Sequence, residues 1–185
     1  MKTIVFFLEE PSAREMLEGV LPRILPANIQ IRYLLFQGKQ DLEKNLKKRL
    51  RGWRLPDSVF VVIRDQDSGD CKAIKTNLTN LCLEARREGV LVRIACRELE
   101  SFYLGDLTAV EKGLGIRGLG KQQQKRKFRN PDALLHPAEE LYRLTGNIYD
   151  KVVGSRAIAP YLNLEANCSK SFRVLLSGIA NLAKA

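Results

Sequence analysis

The sequence predicts an α/β fold in which a central parallel sheet of about four strands is flanked by helices and followed by a helical C-terminal half. Three observations predict it. Short apolar runs rich in β-branched and aromatic residues alternate with helix-period segments through residue 113. Such βαβ alternation implies parallel strands joined by right-handed crossovers, with helices on the sheet faces. Beyond residue 131 only helix-period patterns recur. Finally, acidic residues fall directly after three of the predicted strands, and open parallel sheets hold their ligands beyond the carboxyl ends of the strands.

The elements follow in order. Residues 2–8, KTIVFFL, form a near-continuous apolar run with the length and composition of a buried strand. Pro11 suits the first turn of a helix, where its missing N–H leaves nothing unpaired. Ala13, Met16, Leu17, Val20, Leu21, Ile24 and Leu25 recur at helical spacing, with a kink expected at Pro22 and an end at Pro26. Residues 29–36 read as a second strand, and residues 40–51 as a helix capped by Asp41, with Leu42, Leu46 and Leu50 on one face. Residues 58–64 are the clearest buried strand. The turn RDQDSGD follows it, and Asp70 is placed to cap the next helix, whose apolar face is Ile74, Leu78, Leu81, Cys82 and Ala85. Gly89 closes that segment, residues 90–96 form the fourth strand, and residues 98–113 read as one helix.

Residues 1–113 are thus the α/β core and residues 114–131 a flexible basic loop. Residues 132–185 form a helical extension packed on the core, with helices over 132–144, 149–163 and 169–184. The 185 residues suffice for one domain with a sizeable core, and the hydrophobic and charged fractions of 45% and 28% are those of a globular protein. No apolar run approaches the roughly 20 residues of a membrane helix, and the start of the chain reads as a strand and not as a signal peptide. The single histidine, His136, excludes a His-rich zinc site and an intrachain His-based triad, and its place before Pro137 gives it a structural role. The four cysteines lack CxxC spacing and sit among apolar residues, which makes a reducing cytoplasm the expected setting.

The acids carry the functional expectation. Glu9 and Glu10 follow the first strand, Asp65, Asp67 and Asp70 the third, and Glu98 and Glu100 the fourth. Residues two apart in an extended chain project to one side about 6.6 Å apart, and a turn brings Asp65 and Asp67 closer. In a chain of net charge +10, so many acids on one rim repel one another, and a divalent cation offsets that repulsion. Oxygen-only ligands suit Mg²⁺ or Mn²⁺ rather than zinc. The basic balance itself favours nucleic acid as partner. Lys121, Lys125, Arg126, Lys127 and Arg129, with Phe128 among them, are placed to grip a phosphate backbone. A second basic run from Lys44 to Arg54 reads as the solvated face of a helix. The glycines of GLGIRGLG match neither a dinucleotide fingerprint nor a P-loop.

LEEPSARE resembles the strand–Glu–turn motif of Toprim-like domains, with Glu9 at the acidic position and Glu10 in place of the usual Gly; a one-residue shift makes Glu10 the acid. VVIRDQDSGD resembles their DxD motif, with Asp65 and Asp67 as the pair and Gly69 where the longer form carries a third acid. With LEEPSAREMLEGVLPRILP, RIACRELESFYLGD, VVGSRAIAPYL and SKSFRVLL, nearly the whole chain resembles one bacterial Toprim-like family, domain of unknown function 4276. The resemblance implies a Toprim/Rossmann-like sheet and a Mg²⁺-dependent phosphodiesterase or nuclease, distantly similar to nucleases of the overcoming-lysogenization-defect type. In that picture Asp65 and Asp67 hold metal, Glu9 and Glu10 act as ligand or acid–base, and Glu98 or Glu100 completes a second metal position. It further implies phosphate contacts by Arg156, Lys170 and Arg173, and a place in phage defence beside an ATPase partner. The alternative expectation is a non-catalytic nucleic-acid-binding or regulatory subunit partnering an ATPase; a small-molecule phosphohydrolase is a third.

Overall fold

The computed structural model describes residues 1–184 and contains one sheet of four strands, β1 (Thr3–Leu8), β2 (Gln30–Leu35), β3 (Ser58–Asp65) and β4 (Leu91–Ala95). All neighbours pair in parallel, in the order β2-β1-β3-β4. Every residue of central β1 is buried, whereas none of edge strand β2 is fully so. A strand covered on both faces must be apolar along its whole length, which is why IVFFL shows no alternation.

Alternate side chains of β1 and β3 enter two separate cores. Val5, Phe7, Phe60 and Val62 pack under α2 (Lys39–Gly52) and α3 (Cys71–Glu84). Ile4, Phe6, Leu8, Val61 and Ile63 face the larger layer. That layer is built from α1 (Pro11–Val20), α4 (Glu100–Leu104), α5 (Leu107–Leu114), α6 (Arg126–Arg129), α7 (Pro137–Leu144), α8 (Lys151–Ile158) and α9 (Lys170–Lys184). The C-terminal half therefore completes one side of the α/β/α sandwich instead of forming a unit of its own. Each large apolar side chain buried there, such as Met16 or Phe172, contributes about 1.5–3 kcal/mol.

Several expected boundaries shift for identifiable reasons. The first helix ends at Val20 and tightens into a 3-10 turn over Leu21–Arg23, because Pro22 cannot donate to the helical ladder. Helix α2 is capped at Gly38, whose φ of +87° favours glycine; Asp41 lies inside the first turn and accepts the Gln37 amide at 3.0 Å. The helix expected over 98–113 is broken at Gly105. There Asn167 lies too close for any Cβ, and Asp106 caps α5 by accepting from Ala109. Asp70 does cap α3, accepting the Ala73 amide at 2.7 Å. Residues 114–131 are not a structureless loop: they carry a 3-10 turn over Gly120–Gln124 and α6, with Phe128 fully buried. Gln123 binds this segment down, donating to the carbonyls of Leu104 and Phe128 and accepting from the Leu107 amide.

The strand order fixes where a site can form. The chain leaves β1 towards β2 on one side, then returns to β3 on the other side of β1. A crevice opens at such a switch point, beyond the carboxyl ends of the two diverging strands. Those strands end at Leu8 and Asp65.

Candidate functional site

Glu9, Glu10, Ser12, Ala13, Ile63, Arg64, Asp65 and Leu99 line a narrow crevice at this switch point. The Glu9 carboxylate accepts the backbone amide of Asp65 at 3.1 Å, linking the end of β1 to the end of β3. Both residues are 8% exposed.

Strand alternation sends the acids to opposite layers. Glu9 turns towards α2: Arg64 Nε lies 3.9 Å from its Oε2, and Arg64 Nη1 donates to Glu43 of α2 at 2.6 Å. Asp67 lies on the same side, with its carboxylate 2.6 Å from Lys39 Nζ. Its φ of +53° is one that Asp tolerates better than most residues. Glu10 turns the other way, towards α8, where Lys151 Nζ stands 3.4 Å from its Oε2. Asp65 belongs to this second group. Burial raises its pKa well above 3.8, and the charges of Glu100, Glu10 and Glu9, in that order, raise it further; the Leu99 amide opposes them. Glu9 is also raised, by burial first and then by Asp67 and Glu10, against the lowering effect of the Asp65 amide.

Glu100 is 1% exposed at the start of α4. Its Oε1 accepts from the Tyr149 hydroxyl at 3.0 Å, while Oε2 has no partner. Burial raises its pKa, opposed chiefly by Lys151. Glu98 is differently used. Its carboxylate accepts the Ala138 amide at 2.8 Å, satisfying a free N–H in the first turn of α7. Two residues apart in sequence, one acid is a distant helix cap and the other a buried member of the cluster.

The expected acids therefore divide. Asp65, Glu10 and Glu100 share one side, Glu9 and Asp67 the other, and Glu98 is engaged elsewhere. Among the described residues no group of three or more His, Cys, Asp or Glu side chains is arranged to hold a metal ion. The donor set still fits a hydrated Mg²⁺ or Mn²⁺, which takes one or two carboxylates and completes its octahedron with water or phosphate oxygens. Asp65, buried and raised further by the charges of Glu100 and Glu10, and the unpartnered Oε2 of Glu100 are what such a cation would relieve.

Lys151 stands beside Glu10 from far along the chain. No motif marks it, and only the packing of α8 on α1 brings it to Glu10. The signal was that a lysine opens a helix, at the end where a cation is unfavourable. Of the basic residues, Lys121, Lys125, Arg126, Lys127 and Arg129 are all exposed, and Lys127 pairs with Glu140 at 2.6 Å. Arg156 pairs with Glu15 at 2.6 Å, and Arg173 donates to the Asn167 carbonyl, so both serve packing; Lys170 opens α9.

No helix among the described residues is long and apolar enough to cross a membrane, and all four cysteines are free. No curated protein and no solved structure matches the chain. The model of one family, described as Domain of unknown function (DUF4276), matches residues 8–180, and the chain belongs to that family.

Proposed function

We propose that the protein is a Mg²⁺- or Mn²⁺-dependent phosphodiesterase acting on nucleic acid, with its centre at the crevice between β1 and β3. The observation that carries this reading is Asp65: a carboxylate buried at the topological switch point, its amide held by Glu9 and its charge opposed by Glu100 and Glu10. Burying uncompensated carboxylates is costly, and clustered groups of raised pKa concentrate where chemistry needs them.

Asp65 with Glu10 would hold the cation, which when bound polarises a phosphate and lowers the pKa of water. Glu9 fixes the Asp65 backbone, and burial favours its protonated form, which suits a group that exchanges a proton with substrate or water. Lys121, Lys125, Arg126 and Arg129 give a charged, exposed strip for a phosphate backbone, whose grip is salt-dependent and sequence-independent. The resemblance to Toprim-like nucleases, and with it a role in phage defence, belongs to this reading.

The test is Mn²⁺-dependent cleavage of single- and double-stranded DNA and RNA by the purified chain, with Asp65→Asn and Asp67→Asn alongside. Loss of cleavage in Asp65→Asn, with circular dichroism unchanged, supports the enzyme. Asp67→Asn should retain part of the activity, because Asp67 faces Lys39 and not the Asp65 group. Cleavage that survives Asp65→Asn would sink the reading.

One observation favours a second reading. Asp67 is tied to Lys39 and Glu98 to α7, which leaves fewer free acids than a two-metal nuclease employs. A nucleic-acid-binding or regulatory subunit partnering an ATPase accounts for that arrangement. It predicts tight polynucleotide binding without Mn²⁺-dependent cleavage.

A further inference from the structure

We infer that the exposed face of α2, with Trp53 and Arg86 beside its C-terminal end, is a second polynucleotide surface, which takes the backbone and an unstacked base of a single strand. The inference shares its class of partner with the proposed function. It stands on residues outside both the crevice and the 121–129 strip.

Residues 44–54 carry six Lys or Arg and no acid. Leu42, Leu46 and Leu50 bury one face of α2, and Lys44, Lys48 and Arg51 are exposed at four- and three-residue spacing on another. Like charges so spaced repel and weaken a helix. Nearby acids relieve little of this: Glu84 takes Lys47 at 2.5 Å, and Glu43 is held by Arg64. Lys44, Lys48, Arg49, Arg54 and Arg86 form no ion pair among the described residues. Cations in the last turn suit the helix dipole, which accounts for Arg49 and Arg51. It does not account for Lys44 and Lys48 further up α2, or for Arg54 and Arg86 beyond the ends of α2 and α3.

Two surface grooves flank this end of α2. One, of about 460 Å³, has Lys48, Arg49 and Trp53 in its lining; the other, of about 520 Å³, has Arg51 and Arg86. Trp53 is half-buried and held in place. Its Nε1 donates to Ser58 Oγ at 2.9 Å, and its ring meets Phe60 edge-on with centroids 6.1 Å apart. A fixed indole among unpaired cations combines a stacking platform with a phosphate grip, as single-strand binding requires, and a duplex offers no unstacked base. Lys39 opens α2 at the crevice, where it meets Asp67, and Trp53 follows α2 beside Ser58, the first residue of β3. The basic face therefore runs about 20 Å from the carboxyl edge of the sheet towards its amino edge. It lies in the layer opposite the one that buries Phe128 of the 121–129 strip.

Trp53 is the only tryptophan, so its fluorescence reports on this surface alone. The full-length chain is titrated with a short oligothymidylate, with duplex DNA of equal length, and with phosphatidylserine–phosphatidylcholine vesicles. The single strand should quench Trp53 more strongly than the duplex. Neutralising Lys48→Gln, Arg49→Gln and Arg86→Gln together, with circular dichroism unchanged, should weaken single-strand binding at least about tenfold and lower its salt slope by about two. A chain neutralised instead at Lys125, Arg126 and Arg129 should keep the Trp53 response. Single-strand binding that leaves Trp53 unchanged, or that survives the α2 substitutions intact, overturns the inference and leaves the proposed function standing. A Trp53 response to vesicles and not to the strand overturns it in favour of a membrane surface. Absence of binding to any polynucleotide overturns both this surface and the nucleic-acid partner of the proposed function.

Discussion

The carboxylate of Glu9 accepts the backbone amide of Asp65 at 3.1 Å, so the last residue of β3 is held by a side chain from the end of β1. The bond spans the switch point of the sheet and couples the two strand ends that frame the crevice. It also shows how adjacent acids divide the work: Glu9 positions backbone on the α2 side, while Glu10 faces Lys151 on the α8 side.

Removing that acceptor leaves the buried Asp65 N–H unpaired. Glu9→Ala should lose about 1–3 kcal/mol of stability, whereas Glu9→Gln, whose amide oxygen can still accept, should lose less than half as much. Urea denaturation of the two variants measures the difference.

The buried acids make stability depend on pH. Asp65, Glu9 and Glu100 have folded-state pKa values raised above 3.8, 4.5 and 4.5. In the window between those ordinary values and the raised ones, the folded chain binds more protons than the unfolded chain. Stability therefore falls as pH rises through that window, and the loss is complete above it. Glu15, lowered by its bond to Arg156, acts oppositely and only below 4.5. The melting temperature should rise as the pH is lowered through that window towards the ordinary carboxylate values, and Asp65→Asn should flatten the slope. Under the proposed function, Mn²⁺ should flatten it too.

Glu98 and Glu100 should separate cleanly. Glu98→Ala removes the acceptor for the Ala138 amide and should cost about 1 kcal/mol, as other helix caps do, without altering Mn²⁺ binding. Under the proposed function, Glu100→Gln should weaken Mn²⁺ binding. Calorimetry on both variants distinguishes the cap from the cluster member.

Helix α8 owes its position partly to Gly113 of α5. A Cβ there would lie 2.6 Å from the Ala157 carbonyl oxygen and 2.7 Å from the Ile158 Cα, both backbone atoms that cannot yield. Gly113→Ala should therefore destabilise the protein by about 1–3 kcal/mol despite the better helix propensity of alanine. A thermal melt reads the loss.

If the 121–129 strip grips a phosphate backbone, neutralising Lys125, Arg126 and Arg129 together should weaken binding to every polynucleotide alike. The slope of log affinity against log salt should shrink by about two to three. Fluorescence anisotropy at several salt concentrations tests this. Lys127 is the internal control, since it already pairs with Glu140.

The sequence by itself determined the parallel βαβ order, the positions of all four strands to within a residue or two, the Asp70 cap and the rim on which the acids lie. Those features are local: they follow from apolar runs, helical periodicity and turn chemistry, each written in neighbouring residues. Only the tertiary structure decided how the acids are shared out. Strand alternation separates Glu9 from Glu10, a lysine from α2 reaches Asp67, and the first turn of α7 claims Glu98. It likewise delivered Lys151 from residue 151 to Glu10, and Phe128 from a basic run into the core. Partnerships between residues far apart in the chain depend on how helices pack across the sheet, and no spacing within the sequence records that packing.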